Sequence, residues 1–372
     1  MFGNQKRPMD RRDFLKAAGA ALGVTVLGSI AAACGSASAP QGTKPTAAPA
    51  APAASGAAPT AAAAPAAQAG KGKVIRVASV VAPGGAVEKC VDDFAKYLSD
   101  KTNGEFTAQK YLGGQLGGET QVIDLQSMGS PEIVVFGNLP TSNIAPEWGS
   151  VLDVPFLVKS IDQFRKIVDG PLGQPMKDAV LQRKAIRLVA YANRGPRYLT
   201  SNKPISTPAD LKGLKMRLPE VDTYVAAWKM LGALPTAMAL PELYLALKQG
   251  TVEAQENPYE LIWTSKFYEV QKYLNQTAHI YAAYEITASD KWMKTLPQDA
   301  QKIITDGLVY MGAQEDKYMA SDESGYVDKL KGQGMTFNPV QLDQFRAALK
   351  DLPKQFESKW KPGFYEAVQS AA

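Results

Sequence analysis

Three short stretches carry side chains suited to gripping an anion: Arg194-Gly195-Pro196-Arg197, Lys215-Met216-Arg217-Leu218-Pro219 and Glu253-Ala254-Gln255-Glu256-Asn257-Pro258. Each follows or ends a short strand-like run at a turn signalled by Gly or Pro. In α/β folds such positions project into the crevice beyond the strand ends. Arginine suits a carboxylate there because its planar fork offers two parallel charge-assisted hydrogen bonds. For Arg194 a surface position and a crevice position are equally open.

Other chemistries lack their residues. No GxGxxG, P-loop, GxSxG or HExxH occurs, and the glycines of Gly113-Gly114-Gln115-Leu116-Gly117-Gly118 are wrongly spaced to cradle a phosphate. The single histidine, His279, sits in a strand-like segment without an obvious partner and reads as structural. One histidine and two cysteines supply neither a His-based metal site nor a disulfide framework. Cys90 falls on the apolar face of a helix and reads as an inert buried thiol. Asp92-Asp93 and Glu315-Asp316 fall on helix faces and are expected to be solvated. No catalytic residue, metal or cofactor is expected, and the chain is not read as an enzyme.

The 372 residues suit two domains with ample core. The formal charge of +5 could suggest a nucleic-acid partner. Residues 1–33, however, hold five Lys/Arg and two Asp/Glu, and 34–70 add only Lys44, so the remaining 302 residues carry 35 basic and 34 acidic side chains. The excess belongs to the N-terminus, which removes the support for nucleic-acid binding.

Residues 6–16 are polar and basic, and 17–33 are apolar, rich in Ala and Gly, and at the short limit for a membrane span. This is an export signal. Asp10-Arg11-Arg12-Asp13-Phe14-Leu15-Lys16 resembles a twin-arginine signal, with Arg11 and Arg12 as the pair. Ala31-Ala32-Ala33-Cys34-Gly35 resembles a bacterial lipobox, which makes 1–34 the signal peptide and Cys34 the lipid attachment site; conventional cleavage after A-x-A is the alternative. Residues 35–70 are Ala/Pro-rich with one charge and are expected to form a flexible tether.

Beyond the tether, strands and helices alternate. Val74 to Val81 read as a strand closed by Pro83-Gly84-Gly85, followed by a helix with Val87, Cys90, Val91, Phe94 and Leu98 on one face. Strands at 106–111, 133–136 and 185–191, with helices near 118–128 and 161–183, predict an α/β domain with a mostly parallel sheet. A second unit begins near Arg194, with strands at 198–200 and 215–218, helices at 223–231, 241–249 and 259–274, and a strand near 279–288. From Pro297, placed in the first turn, to Lys331 the pattern is helical, long enough to bridge two domains.

The run from Arg197 to Leu274 resembles the dicarboxylate-binding (DctP) type of substrate-binding subunit of TRAP transporters, the tripartite ATP-independent periplasmic carriers. The resemblance rests on Arg197-Tyr-Leu-Thr-Ser-Asn-Lys-Pro-Ile, Asp210-Leu-Lys-Gly-Leu-Lys-Met-Arg217-Leu-Pro, Leu231-Gly-Ala-Leu-Pro-Thr-Ala-Met238, Gln255-Glu-Asn-Pro258 and Lys266-Phe-Tyr-Glu-Val-Gln-Lys-Tyr-Leu274. Gln115-Leu116-Gly117 and Asp153-Val-Pro-Phe-Leu157 extend it over most of the chain. It implies a two-domain periplasmic-binding-protein-like α/β fold with crossing strands and a long domain-spanning helix. Domain I would comprise 71–193 plus about 283–322, and domain II 194–282 plus about 323–372. The implied function is extracytoplasmic capture of a small organic acid, a C4-dicarboxylate or related carboxylate, by arginine pairing and domain closure, with delivery to a membrane permease. Arg217 would pair with the carboxylate, and Arg197 and Asn257 would add polar contacts. Leu240 stands where relatives often have an aromatic, and Glu253-Ala254 replaces the usual Asp-Gly; both bear on pocket shape. Asn138, Glu220, Phe136, Trp148 and Trp263 are further candidate contributors to ligand choice, each taken singly more in keeping with core packing or the surface. A lipid-anchored monomer is expected. A ligand-binding sensor and, less in keeping with the composition, an exported redox enzyme are the alternatives.

Overall fold

The computed structural model describes residues 72–371 apart from Asn138. The twin-arginine stretch, Cys34, the tether and Asn138 lie outside the described residues.

Lys73–Ala78 (β1) buries Ile75, Val77 and Ala78. The following helix, Ala86–Thr102 (α1), buries the predicted face of Val87, Cys90, Val91, Phe94 and Leu98, and this burial pushes the Cys90 thiol pKa well up. Then come Phe106–Tyr111 (β2), Glu119–Met128 (α2), Ile133–Phe136 (β3), Leu139–Ile144 (α3) and Pro146–Leu152 (α4). The helix predicted over 161–183 is two, Ile161–Val168 (α5) and Gln174–Lys184 (α6). The chain turns between them, and Gly173 lies so close that a Cβ there would sit 1.9 Å from the Val168 carbonyl oxygen. The next strand, Ile186–Pro196 (β4), runs past the expected end of the first unit.

β1 pairs in parallel with β2 and β3, as alternation of strand and helix predicts. The sheet is nevertheless only half parallel. Tyr281–Ser289 (β10) returns from the second domain and inserts antiparallel between β3 and β4, giving the order β2-β1-β3-β10-β4. Strand direction here is decided by a connection spanning some ninety residues, which local periodicity does not carry.

The second sheet has the order β11-β9-β5-β8-β6-β7. Its strands are Tyr198–Ser201 (β5), Lys215–Leu218 (β6), Leu234–Ala237 (β7), Ala254–Asn257 (β8), Tyr273–Asn275 (β9) and Thr336–Asn338 (β11). Asp222–Met230 (α7) and Leu240–Lys248 (α8) connect them. The helix predicted over 259–274 is shorter: Tyr259–Thr264 (α9), a 3-10 turn at Phe267–Glu269 and then β9. Lys266, at φ 55°, breaks it in the left-handed region.

A single residue, Arg197, separates β4 from β5, so the chain passes directly from one sheet to the other. The Arg197 N–H donates to the Ile280 carbonyl at 2.9 Å and the His279 N–H to the Arg197 carbonyl at 3.3 Å, keeping the crossing segments paired at the junction.

After Asp290–Met293 (α10), helix α11 (Gln298–Gly332) runs 35 residues, with Pro297 just outside its first turn. At 1.5 Å per residue it is about 50 Å long. It lies on α1 and β4 and also meets α9 of the second domain. Close approach needs Gly307, where a Cβ would come within 2.9 Å of the Phe94 ring. Glu315, expected in solvent, is instead 1% exposed, because it lies on the packed face of this helix with Leu308, Met311, Gly312 and Met319. Asp92 behaves as expected and pairs with Lys110 at the surface. Leu342–Ala348 (α12) and Phe364–Ser370 (α13) complete the second hydrophobic core. No helix among the described residues is long and apolar enough to cross a membrane.

Candidate functional site

Arg217 lies in β6, where Gly213 and Pro219 bracket a four-residue strand. It is 2% exposed, yet only its Nε is committed, donating to the Met238 carbonyl oxygen at 2.8 Å. Nη2 is buried without a partner among the described residues. Burial, followed by the like charges of Arg197 and Arg194, depresses its pKa to about 10, while Glu119 and Glu256 oppose the shift. A cation held in this state gains from any anion that reaches it.

Arg197 is different. Its Nε and Nη2 donate to the two carboxylate oxygens of Glu256, and Nη2 also donates to the Glu256 carbonyl oxygen at 2.8 Å. His279 Nε2 lies 3.0 Å from Glu256 Oε2, and Thr277 Oγ1 lies 2.9 Å from His279 Nδ1. Glu256 is acceptor-only when ionised, so Nε2 carries the ring proton and Nδ1 accepts from Thr277. Burial alone would raise the Glu256 carboxyl, but Arg197 overrides it and holds the pKa at about 2. Burial lowers that of His279, keeping the ring neutral. The Tyr224 ring beneath Arg197 and the Trp228 edge against His279 complete the packing. His279 thus has the partner the sequence did not disclose, and it is structural. Arg197 lines the cleft, but its donors are largely spent on Glu256 rather than offered to a ligand as predicted.

One cavity between the two sheets is lined by Arg217, Arg197, Asn257 and Leu240, four of the predicted residues, together with Glu119, Gly137, Arg194, Pro219, Val221 and Tyr224. Its enclosed space is about 20 Å³, so the lining side chains lie close to one another. Asn257 is fixed by donating to Gln255 Oε1 at 2.6 Å, and Gln255 by donating to Thr200 Oγ1 at 2.9 Å. Leu240, at the start of α8, forms an apolar wall. Glu220 does not line the cavity, a correction with a local cause. The Val221 N–H donates to the Pro219 carbonyl at 2.8 Å, a three-residue turn that aims Pro219 and Val221 inward and Glu220 out. Glu220 is exposed and accepts instead from the Thr120 hydroxyl on the opposite domain. Phe136 is buried in the core, as expected.

Glu119 and Arg194 complete the site. Glu119 is the first residue of α2, beyond the end of β2, a crevice position that a reading of strand ends could have flagged. The glycines before it close the cleft: a Cβ on Gly114 would meet Pro241 Cγ at 2.4 Å and one on Gly118 would meet Ala239 Cβ at 2.8 Å. Another cross-domain contact lies farther back, where Glu260 Oε1 on α9 accepts the Ala86 N–H at the start of α1, at 2.5 Å. Tyr284 donates to Glu260 Oε2 at 3.1 Å.

Two α/β domains joined by crossing strands, with a cavity between their sheets that holds a buried arginine whose Nη2 has no partner among the described residues, have the architecture of a periplasmic-binding-protein-like fold. The chain belongs to the bacterial extracellular solute-binding protein family 7 (DctP), whose model matches residues 77–359. A solute-binding protein of Roseobacter denitrificans is 34% identical over 261 residues, covering 69% of this chain and 79% of that one. The sialic acid-binding periplasmic protein SiaP of Vibrio cholerae is 31% identical over 71% of this chain and 82% of its own. Among solved structures, a TRAP periplasmic solute-binding protein of R. denitrificans with bound L-galactonate superposes with a TM-score of 0.75 at 30% identity, covering 80% of this chain and 98% of that one. The sugar acid-binding protein DctPAm of Advenella mimigardefordensis, in complex with galactonate, gives 0.77 at 29% identity, with 81% and 97% covered. The protein is a TRAP-type solute-binding component of a transport system, not an enzyme.

Proposed function

We propose that the ligand is a hydroxylated monocarboxylate of the sugar-acid kind, carried to a TRAP permease. The observation that carries this is a cation and an acceptor at one cavity: Arg217, whose Nη2 has no partner among the described residues, and Glu119 both line it. A carboxylate satisfies the first, and hydroxyl groups donating to Glu119 satisfy the second. A second carboxylate beside Glu119 would bury two like charges together, which is costly without compensation. The galactonate-bound relatives support the same reading, and a C4-dicarboxylate is the competing outcome. A thermal-shift screen tests it, with aldonates, C4-dicarboxylates and the matching amides as probes. Stabilisation by aldonates and not by their amides or by C4-dicarboxylates is expected, and stabilisation by C4-dicarboxylates alone overturns it.

Domain I of 71–193 with about 283–322 would then close on domain II of 194–282 with about 323–372. The chain would be exported as a monomer by the twin-arginine route through Arg11 and Arg12, and anchored by a lipid on Cys34. The motifs at those residues support this, and mass spectrometry of the membrane-extracted N-terminus decides it.

A further inference from the structure

Arg194 and Arg197 sit three residues apart at the same cavity, but their donors are in opposite states. Arg197 is bound at both ends of its fork by Glu256. Arg194 is 8% exposed, and its Nε is buried with no partner among the described residues. It is positioned without an ion pair. Its guanidinium carbon lies 5.1 Å from the centroid of the Tyr284 ring, and its Nη1 presses on Gly137 so closely that a Cβ there would come within 2.6 Å. Tyr284 in turn is tied through its hydroxyl to Glu260. A guanidinium held against an aromatic ring is not locked at both ends of its fork as one in a bidentate salt bridge is, and its Nε is the donor left over.

We propose that Arg194 is a second ligand-reading residue, whose Nε–H donates to an uncharged oxygen, a hydroxyl or carbonyl, of the acid whose carboxylate Arg217 holds. This deepens the reading of Arg217 given above and rests on it. The fixed charges lining the cavity support the uncharged oxygen. Arg197 and Glu256 cancel, leaving Arg217 and Arg194 against Glu119, one positive charge in excess. One carboxylate neutralises that excess. A diacid leaves a net negative charge in a buried site, which is unfavourable. Glu260, which accepts from the Ala86 N–H and the Tyr284 hydroxyl, and Glu315 are buried but do not line the cavity, so the count is of the lining residues alone.

The test is calorimetry on full-length protein freed of co-purified ligand, using galactonate, its singly deoxygenated analogues and its diacid, galactarate. The variants are Arg194→Gln, Arg194→Lys and Arg217→Gln, with circular dichroism and melting as folding controls. Arg217→Gln is expected to weaken every acid at least a hundredfold. Arg194→Gln is expected to weaken galactonate at least tenfold while leaving one deoxy analogue nearly unchanged, because that analogue already lacks the oxygen Arg194 reads. The double-mutant comparison isolates that contact. Galactarate is expected to bind wild type at least tenfold more weakly than galactonate. Equal loss across all analogues in Arg194→Gln would be a field effect and overturns the proposal, as does no loss at all. Arg194→Lys keeps the charge and serves if the Gln variant fails to fold; full affinity in Arg194→Lys likewise overturns it. Wild type binding no probe acid, or an unaffected Arg217→Gln, overturns the Arg217 reading and this one with it. Tight galactarate binding overturns only the charge argument and the uncharged oxygen it specifies.

Discussion

Replacing Arg217 with methionine separates what the residue does for binding from what it does for the fold. The depression of its pKa from the usual arginine range to about 10 means that the ligand-free fold holds a proton there at a penalty. Two and a half pKa units correspond to roughly 3 kcal/mol. The sign follows from linkage: between the two values the unfolded chain binds the proton and the fold does not, so stability rises with pH only above about 10 and the full penalty stands at neutral pH. Methionine of similar length removes the charge but leaves the Met238 carbonyl without its donor, at about 1 kcal/mol. The net is a ligand-free protein stabilised by roughly 2 kcal/mol, which for a chain of this size is an increase of about 4 °C in Tm. Binding moves the other way. Losing two charge-assisted hydrogen bonds of about 1.5 to 3 kcal/mol each weakens affinity by more than a hundredfold. Scanning calorimetry of stripped protein and titration with the best acid read the two effects. A variant that melts several degrees below wild type while still binding within threefold refutes the reasoning on both counts.

Gly118→Val places a side chain against Ala239 across the cleft and is expected to weaken ligand affinity at least tenfold, with the ligand-free melting temperature changed by no more than a degree or two; unchanged affinity removes Gly118 from the closing contact. Glu256→Gln strips Arg197 of its buried partner and is expected to cost about 3 to 5 kcal/mol by chemical denaturation. For wild type, His279 stays neutral in the fold with a lowered pKa, so stability declines as pH falls below about 6.5, and the Glu256 contribution is lost as pH falls further, from about 4.5 toward 2. His279→Gln is expected to flatten the upper step alone. Glu285, buried on β10 and accepting from the Thr141 N–H at 3.1 Å, has its pKa raised by burial to about 8. The fold then binds the extra proton between about 4.5 and 8, so the contribution of this group falls as pH rises through that range, opposing that of His279 below about 6.5, and Glu285→Gln is expected to remove it and steepen the acid-side decline in melting curves.

Much of the site was readable because local signals enclose it. β6 ends at Pro219 and follows Gly213, and its residues match the expectation from the sequence. The long helix and the apolar face of α1 are matters of periodicity over several turns. What was not readable depends on partners distant in sequence. β8 is Ala-Gln-Glu-Asn, which has no strand propensity, and it is a strand because β5 pairs with it and because Arg197, Thr200 and His279 satisfy its polar side chains. Arg197 could be placed in the cleft from sequence, but its capture by a glutamate 59 residues away could not. Glu315 falls on the same helix face as Leu308, Met311, Gly312 and Met319, so the helical period places it on the buried stripe; reading it as one of a solvated acid pair with Asp316 overlooked that spacing. The outward turn of Glu220 rests on one backbone hydrogen bond between its neighbours.

The amide of Ala86 lends itself to timing. Its N–H opens α1 in one domain and is covered by a carboxylate from the other, so solvent reaches it when the domains part. Under conditions where reclosing outruns exchange, deuterium uptake at this one position counts the fraction of time spent apart. A ligand that binds only the shut form slows that uptake by the same factor by which it shifts the opening equilibrium. A peptide that begins several residues before Ala86, and so keeps its amide, would then act as an unlabelled stopwatch for the cleft, and substitutions at Glu260 would stop it.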